Sequence, residues 1–397
     1  MTGVLNPPVS PGTVPVGYVG PPRLLRALDL LDSEAHAAAH GPLPPLDRPA
    51  LLGLLDAVNL TGRGGAGFPL AAKVRALRAG AEPVVVVNGA EGEPVSAKDR
   101  ALLSRAPHLV LDGAQLLALA VGARRCLVAI ADPALARPLE RLLAGRPVFG
   151  PAARSRQLGR FELHRVPDRF VAGEARALVA ALNGGPAVPP GRRVLPTDRG
   201  VGGAPTLLAN AETLAHLAVL ARIGPAGYAS VGTPAEPGST LLTVTGAVRH
   251  PGVLEVPLGT RLGAVAAAVG ALPSQAVVVG GYHGGWLAAD PQLELSRARL
   301  AAAGGTLGRA DLRRRAPLPA GRAGPGGRLA GWPIGAAVRA VHVRPAGAGR
   351  RVGQAGQRHR GCRPGGTACR AGSRPRRLRA PGRRSTLRPV RAGRAGR

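Results

Sequence analysis

A short glycine-rich segment has the spacing of a loop that binds a phosphate or a flat ring. Residues 62–67 read Gly-Arg-Gly-Gly-Ala-Gly and satisfy the pattern GxGxxG. Glycines let a ligand approach the backbone N–H groups closely, because no Cβ atom stands in the way. An ordinary dinucleotide-binding turn follows a strand directly, whereas residues 51–59 have the apolar spacing of a helix. A plain glycine-rich turn therefore remains an alternative.

Residue types that this sequence otherwise avoids stand beside glycine-rich turns. Phe68, one of four phenylalanines, directly follows the segment. Pro69 can open a helix, and Lys73, one of two lysines, lies one turn into that helix, where it could meet an anion. Three of the five asparagines also flank such turns: Asn88, Asn183 and Asn210.

A second segment carries two carboxylates. Residues 88–94 read Asn-Gly-Ala-Glu-Gly-Glu-Pro and follow four consecutive valines, which are typical of a buried strand. Asn88, Glu91 and Glu93 would then project at the carboxyl end of a strand, where α/β sheets bind ligands. Carboxylates there could accept hydrogen bonds from ribose hydroxyls or ring N–H groups. The alternative is a solvated acidic turn in which Glu93 caps the next helix.

The elements predicted around these segments alternate along the chain. Beside a short helix after Pro69, the apolar spacing predicts helices over 24–40, 46–57, 102–121, 133–143, 173–182 and 207–220. Strands are predicted over 84–87, 126–130 and 160–166. This alternation indicates an α/β domain over residues 23–225, preceded by a flexible leader over 1–22.

The pattern changes after residue 238. Short strands over 241–245, 253–256 and 277–279 surround one helix over 262–269, which predicts a small mixed β domain spanning 239–290. Residues 309–397 form an arginine-, glycine- and proline-rich low-complexity tail.

The tail carries most of the positive charge. Residues 309–397 contain 24 arginines against the single acid Asp311, which accounts for +23 of the net +31. Leu, Ile, Val and Phe supply 11 of the last 90 residues, below the roughly 20% at which a highly charged chain is expected to be disordered. The tail is either a disordered basic segment for nucleic acid or the product of a shifted reading frame, and we favour the shifted frame. Nucleic acid is therefore not the expected partner.

Cysteine usage and missing motifs exclude several protein classes. Cys126, Cys362 and Cys369 form no CxxC pair and are too few for a disulfide framework, which favours a reducing compartment. No secretory signal, membrane span, nucleophile elbow, Walker A or HExxH pattern is present. We expect a cytoplasmic protein, with Cys126 in the core. His36 and His40 have the spacing of metal ligands on a helix but lack a third ligand, so solvent-facing histidines and no metal are expected.

Taken together, the motifs resemble those of the flavin- and NADH-binding F-type component of NADH-quinone oxidoreductase, respiratory complex I. The resemblance covers roughly residues 51–287 in the same order, and the small β domain looks like the β-grasp, or soluble-ligand-binding, unit of that family. It rests on GRGGAGFP at 62–69, NGAEGEP at 88–94, KDR at 98–100, PH at 107–108, AGE at 172–174, GGAPT at 202–206 and NAETL at 210–214.

The resemblance implies a flavoprotein that accepts hydride from NADH onto FMN and passes electrons to an iron–sulfur or quinone-linked acceptor. Partners would be other electron-transfer subunits, ferredoxin-like or iron–sulfur, with peripheral association at the inner face of the cell membrane left open. It implies FMN-binding roles for Gly62, Arg63, Gly64, Gly65, Lys73, Asn88, Glu91, Gly173, Glu174, Asn210 and Thr213. It implies NADH-binding roles for Gly67, Phe68 and Glu93, and no catalytic acid or base.

The sequence departs from the family pattern at several positions. Ala90, Ala175 and Ala209 replace two acids and an asparagine, which favours flavin binding over tight NADH binding. The family should also carry a 4Fe-4S cluster with cysteines spaced as CGxC, and this sequence does not supply the four thiolates. Two other function classes therefore stay open: a non-catalytic FMN-binding or β-grasp scaffold subunit, and a nucleic-acid binder acting through the tail.

Overall fold

Four parallel strands form the sheet that carries the valine run. The computed structural model describes residues 14–26, 32–146, 159–191, 194–281, 284–302 and the strand 340–345. The first sheet has the strand order β4-β3-β2-β5. Its strands are β2 (Val84–Gly89), β3 (Arg125–Ile130), β4 (Arg160–Arg165) and β5 (Thr206–Asn210). The α/β prediction for this part of the chain is confirmed, and Cys126 lies in the core on β3 as expected.

Helices surround this sheet. They are α1 (Ser33–His40), α2 (Arg48–Ala57), α3 (Leu70–Arg75), α4 (Lys98–Arg105), α5 (Pro107–Val121), α6 (Ala136–Gly145), α7 (Ala175–Leu182) and α8 (Ala211–Ala229), with single 3-10 turns at Pro133–Leu135, Phe170–Gly173 and Val201–Gly203. Helix α8 is kinked at Gly224, just before Pro225. Within the described ranges, no helix is both long enough and apolar enough to cross a membrane.

Three predicted helices differ from the observed ones, one by a break and two by a later start. The predicted helix over 102–121 is divided at Ala106, which has φ −137° and ψ 51°, because a residue before proline is disfavoured in the α conformation. The predicted helix over 24–40 begins only at Ser33, after the Asp32 side chain has capped it, and residues 27–31 lie outside the described ranges. The predicted helix over 173–182 begins at Ala175 because Glu174 is its cap.

The prediction of a helix over 207–220 was wrong in its first residues. Those apolar residues pair with β2 as strand β5, in the register Leu207 to Val85 and Leu208 to Val86. Helix α8 then begins at Ala211 because the Asn210 side chain accepts a hydrogen bond from the Glu212 N–H. Pairing with a buried neighbouring strand has overridden the helical spacing of these residues.

The second sheet is mixed and larger than the sequence predicts. Its strand order is β1-β7-β6-β10-β8-β9. The strands are β1 (Val16–Tyr18), β6 (Ser239–Gly246), β7 (Gly252–Pro257), β8 (Ser274–Val279), β9 (Gly285–Ala288) and β10 (Ala340–Pro345), joined by the helices α9 (Leu262–Ala268) and α10 (Arg297–Ala302).

Two strands of the second sheet come from outside the predicted β domain. β1 belongs to the predicted leader and pairs with β7, and β10 belongs to the predicted tail and pairs with β6 and β8. The expectation of a disordered tail is therefore wrong for residues 340–345, while the rest of the tail lies outside the described residues. The β-grasp assignment and the domain boundaries stay predictions.

Helices α5 and α8 cross in contact at a glycine. A Cβ atom built on Gly113 of α5 would lie 1.8 Å from the carbonyl oxygen of Leu214 on α8. No real atom pair tolerates that distance, so only glycine lets the two backbones pack this closely.

We predict that Gly113→Ala destabilises the protein by about 1–3 kcal/mol or more, because the added methyl group forces the two helices apart. Gly53→Ala is the matched control, since Gly53 lies on α2 and its Cβ would meet nothing within 4 Å. That control should be neutral or stabilising by up to about 1 kcal/mol. Chemical denaturation of both variants measures the difference, and equal effects would contradict the close crossing.

A buried carboxylate on α5 joins α1, α8 and the residue that follows α6. The Asp112 carboxylate accepts hydrogen bonds from His36 Nε2 at 2.7 Å, Arg146 Nη2 at 2.5 Å and Arg222 Nη2 at 2.5 Å. Burial alone would raise the pKa of Asp112, but the hydrogen bond from His36 and the Arg146 charge hold it well below its usual range. His36 is buried, so the expectation of a solvent-facing histidine was wrong at this position. No cluster of metal-ligating residues occurs in the described part of the chain.

His40 lies beside this network with its ring centroid 4.8 Å from that of His36. Burial and then the positive charges of His36, Arg222 and Arg26 lower the pKa of His40 from 6.5 to about 4. The unfolded chain therefore binds this proton more tightly than the folded chain does. The corresponding stability is present above about pH 6.5 and is lost as the pH falls towards 4.

We predict that His40→Gln loses less thermal stability than the wild type between pH 6.5 and pH 4. The reason is that the variant lacks a side chain that binds a proton in this pH range in the unfolded chain but not in the folded one. His250→Gln is the control, since His250 is exposed. Melting temperatures measured across this pH range should keep the wild-type slope in the control. A slope in His40→Gln identical to wild type would contradict the assignment.

Candidate functional site

Residues 62–67, called the glycine loop below, form a closed turn. Thr61 and Pro69 pair as an isolated antiparallel bridge, and the Gly62 N–H donates to the Phe68 carbonyl at 2.9 Å. Gly65 and Gly67 have φ values of 102° and 61°, in the left-handed region that favours glycine. The loop therefore needs glycine at these two positions for its shape.

The glycine loop lies against the carboxyl end of β5 and the first turn of α8. The Arg63 N–H donates to Thr213 Oγ1 at 2.8 Å. A Cβ atom on Gly64 would lie 3.3 Å from Asn210 Cβ, so the loop backbone is close to the helix cap. This is the edge at which parallel α/β sheets bind ligands, although the loop does not itself follow a strand.

The two predicted asparagines stand side by side at this edge. Asn88 of β2 and Asn210 of β5 are register partners, and Asn210 Nδ2 donates to the Asn88 carbonyl at 3.3 Å. Asn88 Nδ2 in turn donates to the Gly173 carbonyl at 2.8 Å. The structure thus brings predicted residues from four distant segments of the chain together.

Two glycines allow residues 88–94, called the acidic loop below, to pack against the 3-10 turn at Phe170–Gly173. A Cβ atom on Gly173 would lie 2.5 Å from the Ala90 carbonyl oxygen. A Cβ atom on Gly92 would lie 2.3 Å from the Phe170 carbonyl oxygen. Glycine is therefore required at position 173 for packing, because a side chain there would displace the acidic loop, and its role in FMN binding stays a prediction.

The carboxylates of Glu91 and Glu174 cap helices. Glu91 accepts from the N–H of Lys98 at 3.0 Å and of Asp99 at 3.3 Å at the start of α4. Burial, followed by the Asp99 charge, raises the pKa of Glu91 to about 7. Glu174 accepts from the first N–H groups of α7 at 2.9 Å. Glu93 is buried, so the alternative of a solvated acidic turn, in which Glu93 caps the next helix, was wrong about the exposure of Glu93.

Phe68 and Lys73, which follow the glycine loop in sequence, differ in their surroundings. Lys73 Nζ donates to the Leu208 carbonyl at 3.0 Å, two residues before Asn210 on β5, and burial lowers the pKa of this amine. The Phe68 side chain is 50% exposed, so its ring is accessible to a ligand. Gly67 packs on Arg297, whose Nη1 would lie 3.1 Å from a Cβ atom at that position.

The structure contains a buried ion cluster around Lys98 to which the sequence analysis assigned no role. Lys98 Nζ lies 2.7 Å from Asp99 Oδ1 and 3.2 Å from Glu212 Oε2, and it also donates to Asn210 Oδ1 at 3.1 Å. Burial would lower the pKa of Lys98, but Asp99 and Glu212 raise it above its usual value. The sequence could have pointed to Lys98, because lysine is scarce in this chain. Nothing in the sequence indicated Arg297.

Comparison with known proteins gives the same assignment as the motifs. Residues 55–219 match the model of the family described as the Nuo51 FMN-binding domain. The chain is 33% identical over 238 residues to the alpha subunit of the NAD-reducing hydrogenase HoxS from Cupriavidus necator, which covers 57% of this chain and 39% of that subunit. It is 32% identical over 221 residues to the F 2 subunit of NADH-quinone oxidoreductase from Rhizobium meliloti, which covers 53% of this chain and 52% of the relative.

Solved structures agree with these relatives. A crystal structure of an NAD+-reducing NiFe hydrogenase in the air-oxidized state aligns with a TM-score of 0.61 and 32% identity over 76% of this chain and 52% of that chain. The H2-reduced state of such an enzyme aligns with a TM-score of 0.59. The chain spans about half the length, or less, of these curated relatives. Residues 55–219 thus match the Nuo51 FMN-binding domain, and the chain is similar to the F subunits of NADH-quinone oxidoreductase over part of their length.

Proposed function

We propose that the glycine loop and the carboxyl ends of β2 and β5 hold FMN, and that this chain accepts hydride from NADH onto it. The observation that carries the proposal is the contact of the glycine loop with Asn210 and Thr213, which puts loop N–H groups and a helix N-terminus at one sheet edge. The names of the relatives, an NAD-reducing hydrogenase and NADH-quinone oxidoreductases, support NADH as the donor.

The residues at this edge fit a bound phosphate ester. Lys73 places a buried amine there whose hydrogen-bond acceptor in the described part of the chain is the Leu208 carbonyl. A charged amine that is removed from water is stabilised by a nearby negative charge, and a phosphate would supply that charge. In the proposed arrangement Lys73, Asn88, Asn210 and Thr213 lie near the phosphate and ribityl chain, and Gly173 and Glu174 lie near the ring.

The structure suggests positioning roles for three predicted contact residues. Glu91, Glu174 and the Thr213 hydroxyl already accept hydrogen bonds from backbone N–H groups. They hold the acidic loop, α7 and the glycine loop in place around the ligand. Phe68 and Glu93 are proposed to face the nicotinamide, where the accessible ring of Phe68 can cover it.

The proposed reaction needs no nucleophile from the protein. Bound FMN supplies the two-electron redox chemistry. This chain's residues align donor and acceptor and keep water out, which is the contribution that proximity makes to such a transfer.

The onward acceptor is proposed to lie on another subunit. The three cysteines of this sequence do not fit a 4Fe-4S cluster, which needs four thiolates. Cys126 is buried on β3, where burial raises the pKa of its thiol, and Cys362 and Cys369 lie outside the described residues. An iron–sulfur or ferredoxin-like partner subunit would therefore take the electrons.

We predict that the purified full-length chain shows a flavin absorption band that NADH bleaches in the absence of oxygen. Glu93→Gln should keep the band but need at least about tenfold more NADH to bleach it, because a charge-assisted hydrogen bond is weakened. Glu140→Gln, an exposed acid on α6, is the control. A colourless chain that FMN does not reconstitute would support the scaffold alternative instead.

We predict that Lys73→Ala lowers the affinity for FMN by about tenfold or more, because it removes a buried cation from the proposed phosphate site. Arg75→Ala is the matched control, since Arg75 lies on the same helix but is exposed and pairs with Asp56. Titration of the apoprotein with FMN, followed by quenching of flavin fluorescence, measures both. Unchanged affinity in Lys73→Ala would remove Lys73 from the site.

A further inference from the structure

A cavity of about 150 Å³ lies beside the glycine loop, away from the asparagine pair. Its wall shares only Arg63 with the residues proposed to contact FMN. The polar groups around it are Asn59, Thr61, Arg63, Glu236 and Arg297. A cavity of this size takes one small group and not a whole nucleotide, since pockets for larger ligands start at roughly 300 Å³.

Two guanidinium groups face this cavity. Arg63 is 2% exposed and lies beside the Tyr228 hydroxyl, and its Nε has no hydrogen-bond partner in the part of the chain that the structure describes. Arg297 begins α10, and its side chain packs against Gly67 of the glycine loop. Burial, and then the neighbouring charge of Arg63, lower the pKa of Arg297. Because both residues line the same cavity, their like charges share one small site.

Among the described residues that line the cavity, Glu236 is the one carboxylate. Glu236 Oε1 lies 3.4 Å from Arg297 Nε, in an ion pair without hydrogen-bond geometry at that nitrogen. The turn that holds Glu236 is closed by Thr233, whose hydroxyl accepts from the Glu236 N–H at 3.0 Å. Glu212 also attracts Arg297, but it already pairs with Lys98 at 3.2 Å. The cavity thus carries an excess of positive charge, which is costly in a partly desolvated site unless an anion joins it.

We propose that Arg63 and Arg297 form an anion subsite for a phosphate-class oxyanion, separate from the position of the FMN phosphate. Guanidinium groups bind phosphate oxygens through two parallel N–H donors, and Arg63 Nε is a donor left over for this purpose. Asn59 and Thr61 add polar groups at the same wall. The oxyanion is either free phosphate or a phosphate group carried by a nucleotide. The inference does not depend on the proposed flavin chemistry.

The test is calorimetric titration of the full-length chain with inorganic phosphate, in a buffer free of other oxyanions, before and after saturation with FMN. The expected result is saturable binding that FMN leaves in place and that Arg297→Gln weakens about tenfold or more. Arg299→Gln is the matched control, because Arg299 lies on the same helix with a side chain that is 70% exposed. It should bind phosphate like the wild type.

A second variant keeps the test decisive if Arg297→Gln fails to fold. Glu236→Gln retains an acceptor for the Arg297 N–H, which donates to Glu236 Oε2 at 2.8 Å, but it removes the competing negative charge. Phosphate should bind this variant more tightly than the wild type. If NADH competes with phosphate for the subsite, the natural oxyanion is the phosphate group of a dinucleotide. If NADH does not compete, it is free phosphate.

Three outcomes would overturn the subsite. They are an absence of saturable phosphate binding, an equal loss in Arg297→Gln and Arg299→Gln, and displacement of phosphate by FMN, which would make the cavity part of the flavin site. Flavin retention and bleaching by NADH are read separately, so failure here leaves the proposed hydride transfer untouched.

Discussion

The surroundings of the glycine loop depend on a lysine that is fully buried. An ammonium group without water is tolerated only when carboxylates pair with it, and Lys98 has two, Asp99 and Glu212. Glu212 also accepts hydrogen bonds from Thr240 Oγ1 and the Leu241 N–H of β6. One ion cluster therefore ties α4 and α8 to the second sheet. Loss of Lys98 would leave two buried carboxylates without their shared cation, at the very edge where FMN is proposed to bind.

Two further carboxylates, Glu255 and Glu174, satisfy backbone N–H groups. Glu255 of β7 accepts from the N–H groups of Leu24 and Leu25 and from the Ser239 hydroxyl, and so fastens an irregular segment to the second sheet. An irregular segment has no neighbouring strand or helical turn to accept hydrogen bonds from its backbone N–H groups. An acidic side chain can accept them instead. Glu174 alone caps α7, so alanine at position 175, where the family repeats an acid, leaves that cap intact.

The glycine loop is held from both sides, which suits a site that works by positioning. Thr213 anchors the loop backbone on one side, and the Arg297 side chain packs against Gly67 on the other. A loop fixed in this way presents its N–H groups without a further entropy cost of ordering them. The same close packing explains why departures from glycine would be felt here even without a change in charge.

Local chemistry in the sequence was enough to determine the α/β class, the strand before the acidic loop and the short helix that follows Pro69. Periodicity could not separate β5 from the helix after it, because the apolar residues 207–209 suit either element until β2 pairs with them. It also could not show that residues 16–18 and 340–345 join the second sheet, since strand partners far apart in sequence leave no local signal.

The sequence by itself also showed the resemblance to the F subunits and predicted several of the residues that meet at the sheet edge, because each motif can be read from a short stretch of the chain. Only the tertiary structure decided what each of them touches. Glu91 and Glu174 have the same side chain as Glu93, yet they cap helices, since their neighbours in space are open N–H groups. Arg63 and Arg297 are 234 positions apart in the sequence. Only the fold brings both to one cavity, where the charge of Arg63 lowers the pKa of Arg297.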